Sequence, residues 1–149
     1  MLEKAAEKAE KLNLTINFKK GNALNLEFED DHFDSVFSMA AIEFIKDLET
    51  AFKEMKRVVK PGGVVASLDL SKPIYWGYRQ IYFFYLFNIV PLVGQLITDN
   101  YEEYAWMPKS LKNFPDSKQL AGIFKQLGFS PVKTDLFAGG AVALHRGVN

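Results

Sequence analysis

Two carboxylates and a crowd of tyrosines are the residues of this chain best equipped for chemistry. Asp69 closes the apolar run from Val64 to Leu68, and Glu43 follows the alternating run from Phe33 to Ser38. If both runs are strands of one sheet, both carboxyls sit at strand C-terminal ends, where ligands of open α/β sheets gather. A carboxylate there accepts a proton at neutral pH only if burial raises its pKa. Each also has a structural reading: Glu43 as an exposed residue opening the next helix, Asp69 as a cap or as the ion-pair partner of Lys72. Tyr75, Tyr78, Tyr82 and Tyr85, with Trp76, share one aromatic stretch. Apolar bodies with polar tips suit a half-buried hydrophobic ligand or a membrane interface, and equally a helix packed over the sheet. Arg79 in the same stretch either anchors a lipid phosphate or snorkels. His32 and His145 are isolated, the first in an acidic turn and the second in a terminal strand, so no metal site is expected. The absence of cysteine removes thiolate nucleophiles, disulfides and Cys-type zinc sites together.

The elements that must position these groups follow from periodicity and punctuation. Residues 1–11 alternate Ala and Leu with Glu and Lys as a surface helix. Residues 15–19 (Thr-Ile-Asn-Phe-Lys) alternate as a short strand, closed by Gly21 and Asn22. A second strand covers 33–38. Asp47 caps a helix over 48–59 with Phe52, Met55 and Val59 inward, and Pro61, Gly62 and Gly63 end it. The β-branched run 64–68 reads as a central strand covered on both faces. Asp116 caps a helix over 118–127 that stops at Gly128. Two antiparallel strands, 129–136 and 140–146, close the chain around a tight Gly139-Gly140 turn. The pattern is a single α/β domain over 1–149 with an antiparallel strand pair at its C-terminal end.

Composition limits the partners. Lys plus Arg and Asp plus Glu number 18 each, so no net field draws the chain to nucleic acid. The N-terminus is polar and is not a signal peptide. The apolar run 81–93 is interrupted by Asn88 and Pro91 and falls short of the about 20 residues a spanning helix needs. The expected location is cytoplasmic, with at most a peripheral contact at the membrane.

Several blocks then carry a resemblance: Leu68-Asp69-Leu70-Ser71-Lys72-Pro73, Pro91-Leu92-Val93-Gly94, Tyr101-Glu102-Glu103-Tyr104, residues 110–115 (SLKNFP) and 139–147 (GGAVALHRG). With Val58 to Ala66 before them, they resemble the ubiquinone/menaquinone biosynthesis C-methyltransferases, a class I family dependent on S-adenosylmethionine. The resemblance covers nearly the whole chain and is strongest from Val58 onward. It implies a Rossmann-like sheet of which this chain, N-terminally truncated, lacks the first two strands, and a helical insertion over 72–115 that covers the substrate. The strand-one glycine turn, through which the backbone approaches the cofactor, has no counterpart in the sequence.

The resemblance further implies S-adenosylmethionine contacts at Asn22, Ala23 and Ser38. Asn22 stands where the family has an acidic acceptor for the adenine amino group, and its amide oxygen still accepts. Glu43 and Phe44 stand where the family has an Arg-Asn pair, and neither supplies a guanidinium's donors. Glu43 and Asp69 are then the catalytic candidates, and Tyr75, Tyr78, Tyr82 and Tyr104 the contacts to a hydrophobic quinone-like molecule. Two readings stand side by side: a methyltransferase fragment with impaired or partner-dependent activity, or a non-catalytic module binding a hydrophobic ligand or another chain. Either leaves the strand at 33–38 with a bare edge, which predicts a homodimer, a complementing N-terminal polypeptide, or direct pairing with the strand at 15–19.

Overall fold

The computed structural model describes residues 2–99 and 101–149. Its elements are α1 (Leu2–Lys11), β1 (Phe33–Met39), α2 (Leu48–Val58), β2 (Val59–Leu70), α3 (Trp76–Phe84), α4 (Val90–Thr98), α5 (Tyr101–Asn113), α6 (Ser117–Gln126), β3 (Val132–Phe137) and β4 (Val142–Val148). The strands form one mixed sheet in the order β1-β2-β4-β3, with β1 and β2 parallel and the other two pairings antiparallel. This is the α/β architecture with an antiparallel C-terminal pair that the sequence pattern predicts.

Side-chain alternation divides β2 between two environments. Val65, Ser67 and Asp69 are buried, on the side where Phe52 and Met55 of α2 and Leu120 and Phe124 of α6 form the core. Val64, Ala66 and Leu68 face the other way and are only half-buried. On that second face Phe37 and Met39 of β1, paired with Ala66 and Leu68, remain 59% and 64% exposed. The run 64–68 is therefore covered on one face, not on both.

The caps hold as their residue types require. Asp47 accepts from the Thr50 N–H at 3.0 Å and opens α2. Asp116 and Gln119 form a reciprocal capping box at the start of α6, and Gly128 takes φ +81° just beyond its end.

Three elements differ from the sequence expectation. Residues 15–19 form no strand: a solvated alternating segment with no paired neighbour has nothing to hold it in a ladder. Helix α2 ends at Val58 and β2 begins at once, with Pro61 and Gly62 inside a bulge where the pairing shifts between Phe33 and Ser35. The third concerns the apolar run. Asn88 and Pro91 do not interrupt it, because α3 passes into α4 through a π turn at Tyr85–Ile89. Pro91 donates no backbone hydrogen bond, and the Asn88 side chain donates to the Phe84 carbonyl at 2.9 Å, so the wider turn leaves few groups orphaned. The result is a run of 23 helical residues, Trp76–Thr98, long and apolar enough by length and composition to cross a membrane. Only 17% of its most apolar window is buried.

Candidate active site

The C-terminal ends of β1 and β2 converge on a buried polar cluster. Asp69 is the penultimate residue of β2 and is 4% exposed. One of its oxygens accepts from the Ala41 N–H at 3.3 Å, and the other accepts from the Ser67 hydroxyl. Ser67, Asp69 and Ser71 recur every second residue, so one strand face carries all three beneath the helices. His145 of β4 pairs with Ser67 in register; its Nε2 donates to the Ser117 carbonyl at 2.8 Å.

After β1 the chain turns sharply. Ala40 adopts φ +48° and residues Ile42–Phe44 wind into a 3₁₀ turn that carries the Glu43 side chain inward, to 7% exposure. Its carboxyl accepts from the Leu70 backbone N–H, and Oε2 has no partner. The expectation of an exposed helix-opening residue is thus overturned: Glu43 is buried, within reach of the Asp69 charge. Ser71 Oγ, His145 Nδ1 and the Tyr82 hydroxyl of α3 are likewise buried without a partner among the described residues.

Electrostatics follow from the burial. Desolvation lifts Glu43 above the usual carboxylate range, and the neighbouring charge of Asp69 lifts it further. Desolvation also raises Asp69, opposed by the Ser67 hydroxyl and the backbone N–H groups of Ala41 and Ile42. Burial lowers His145 and pushes Tyr82 up to about 12. The donors collected around Asp69 make it the better holder of negative charge, and Glu43 the better holder of a proton. Glu43 also borders a cleft of about 440 Å³ walled by Phe44, Trp106, Ser110 and Phe114, in which the Phe44 and Trp106 rings stack at 5.0 Å.

The remaining candidates are dispersed. Tyr78 covers the β3–β4 connection, where a Cβ at Gly139 would lie 2.9 Å from its ring. Tyr104 packs on Gly94 of α4, and Tyr75 projects into solvent. Asn22 lies in an exposed turn, its side-chain oxygen accepting from the Leu24 N–H at 3.0 Å, with Ala23 half-buried beside it. Ser38 is buried on the α2 and α6 side, in register with Ser67. Asp69 makes no ion pair with Lys72 among the described residues; it caps the turn after β1. Ser67 and Ser71 went unselected in the sequence, although their spacing from Asp69 marked a shared face.

The model of the ubiE/COQ5 methyltransferase family matches residues 1–149. The chain belongs to that family. The demethylmenaquinone methyltransferase of Bacillus subtilis is 44% identical over 132 residues, covering 89% of this chain and 57% of the relative. The Oceanobacillus iheyensis demethylmenaquinone methyltransferase is 40% identical over 148 residues, covering 99% and 62%. The chain thus spans about three-fifths of the length of these family members. Among solved structures, a methyltransferase dependent on S-adenosylmethionine from Thermotoga maritima aligns with 98% of this chain and 69% of its own, at TM-score 0.61 and 22% identity. One from Aquifex aeolicus aligns with 96% and 60%, at TM-score 0.59 and 16% identity. At such identities the likeness concerns the fold, and it places the Rossmann-like family architecture on the observed sheet.

Proposed function

We propose that this chain carries the acceptor-activating half of a methyltransferase that moves a methyl group from S-adenosylmethionine to a ring carbon of a quinol. The observation that carries this reading is the buried Glu43–Asp69 pair, with its unpartnered oxygen, at the C-terminal mouth of the parallel strands. The named relatives, which methylate demethylmenaquinone, supply the substrate class. The chain's own residues fit one edge of the cofactor: the Asn22 oxygen retains a free lone pair, and Ala23 beside it is small. Ser38, buried under the helices, does not reach such a ligand without rearrangement. S-adenosylmethionine, when bound, supplies an electrophilic methyl on a sulfonium.

Carbon methylation forms a ring C–CH3 bond as the sulfonium S–CH3 bond breaks, with S-adenosylhomocysteine leaving. The ring hydroxyl gives up its proton as the carbon becomes nucleophilic, and the hydrogen of the methylated carbon then leaves as a proton while the ring oxygen is reprotonated. Glu43 accepts the hydroxyl proton at its free oxygen, and burial and the Asp69 charge, which raise its pKa, make its carboxylate a stronger base than an exposed one. Asp69, anchored by Ala41 and Ser67, keeps the accepted proton on Glu43 favourable. Tyr82 stays un-ionised at neutral pH and donates to the ring oxygen. The Phe44–Trp106 wall offers a flat apolar surface for the ring. Expressing the chain together with the N-terminal segment of the Bacillus subtilis relative, and following labelled methyl transfer to a demethylated naphthoquinol, tests this. Glu43→Gln should lower kcat about a hundredfold with little change in KM for the methyl donor. A Glu43→Gln enzyme with full kcat would remove the carboxyl from the reaction.

A further inference from the structure

The helical run Trp76–Thr98 is apolar towards water as well as towards the core. Inward, Leu86, Pro91 and Gly94 are buried, and Tyr82, Phe83 and Val90 pack against the core. Outward, Ile81, Phe84, Leu92 and Leu96 are 69%, 63%, 58% and 86% exposed, with Trp76 and Tyr75 bare at the leading end. Gln80, Asn88 and Gln95 are also exposed, but the large apolar residues outnumber them on the wet side, the reverse of a helix lying on a soluble protein.

Its charges are one-sided. From Lys72 to Thr98 there is no Asp or Glu. Lys72 and Arg79, joined by Lys112 of α5, line one groove of about 450 Å³ with Trp76, Phe83 and Phe87. Arg79 lies 5.9 Å over the Phe83 ring, and Lys72 donates to the Lys112 carbonyl at 3.1 Å. None of these three cations forms an ion pair with a described residue, although the Asp116 charge acts on Lys72.

We propose that Trp76–Thr98 lies in the headgroup interface of an anionic lipid bilayer, its outer stripe in the acyl boundary and Lys72, Arg79 and Lys112 on lipid phosphates. Aromatic and aliphatic residues along one side, cations at the leading end and no acid before the Asp99 cap form the signature of an in-plane helix. Length alone would allow it to span, but its inner side is packed on the protein, and crossing would strip that packing. The charge asymmetry selects an anionic lipid surface over a second copy of this net-neutral chain. The patch is separate from the bare sheet face around Phe37 and Met39.

Flotation with vesicles of phosphatidylcholine, with and without phosphatidylglycerol, tests the proposal. The chain should float with both and prefer the anionic vesicles, and each cation removed among Lys72→Gln, Arg79→Gln and Lys112→Gln should lower that preference about fivefold. Phe84→Ser with Leu96→Ser, both at exposed positions, should weaken binding to either vesicle about tenfold or more. In the Trp106→Phe chain, Trp76 is the remaining tryptophan and brominated lipid should quench it. A folded sample that stays with neither vesicle overturns the proposal. So does a patch that the N-terminal segment of the relative occludes, or a dimer that Phe84→Ser with Leu96→Ser dissolves.

Discussion

At the scale of single residues, the account rests on a carboxyl pair held in a nearly dry place. Replacing an arginine, as the family resemblance has it, by Glu43 opposite Asp69 turns a charge-compensated position into a like-charge one, which a shared environment resolves by protonation. Burial raises both carboxyls, so the folded chain keeps protons that the unfolded chain has already released. The stability these groups contribute is full below the ordinary carboxylate range and is lost as pH rises through their raised values. His145 runs the other way: its pKa is lowered by burial, so its contribution is lost as pH falls below the ordinary imidazole range. Glu43→Gln keeps the shape and removes one titration. It should stabilise the chain at neutral pH by about 1–2 kcal/mol, the scale of a buried unpaired polar group, with the gain fading towards acid pH. Thermal unfolding across the acid-to-neutral range checks this, and a Tm lowered at neutral pH would show that Glu43 is charged and paired. Glu43 and Asp69 were legible as candidates from their places after apolar runs. Their electrostatic coupling was not, because the 3₁₀ turn that buries Glu43 depends on Ala40 at positive φ, for which alanine gives no signal.

At the scale of elements, the helices were legible wherever a cap residue met an apolar period. Both α2 and α6 start beside the aspartates that announce them. Removing the cap of α6 by Asp116→Ala leaves the N–H groups of Lys118 and Gln119 without their acceptor and should cost about 1 kcal/mol. A denaturant midpoint that does not move would mean that the box is ornamental. The strand expected at 15–19 failed because alternation reports amphipathicity, whereas a ladder needs a neighbour. The break expected at Asn88 and Pro91 failed because a π turn and one side-chain hydrogen bond absorbed both residues, a compensation invisible to residue propensity.

At the scale of the whole molecule, β1 and β3 are the two edges of the sheet, and the apolar face lies bare at the β1 end. The Ala40 N–H donates to the Leu68 carbonyl at 2.9 Å, so by alternation the N–H groups of Phe37 and Met39 point away from β2. Right-handed crossovers put the helices of strands added beyond β1 on the face opposite α2. That is the face where Phe37, Met39, Val64 and Leu68 stand partly bare. We infer that a parallel strand with an amphipathic helix covers this edge and face. The part of the relatives outside the matched region, N-terminal as the family resemblance implies, is the occupant we propose. Mixing the chain with that segment should give a one-to-one complex by light scattering, with slowed hydrogen exchange at the Phe37 and Met39 amides. Exchange at those amides that is unchanged in the complex would place the contact elsewhere, and a dimer of the chain alone with the same protection would make a second copy the occupant. The open edge was legible in the sequence through the family resemblance; the half-bare face was not, since a β-branched run looks the same whether one face or two are covered.

The most direct test of the central claim, that this chain holds the acceptor side of a methyl-transfer site completed by an N-terminal segment, is calorimetric titration with S-adenosylhomocysteine, first into the chain alone and then into the reconstituted complex. No detectable binding to the chain alone and micromolar binding to the complex are expected. Binding of equal strength to the folded chain alone would contradict it, as would a well-formed complex that binds none.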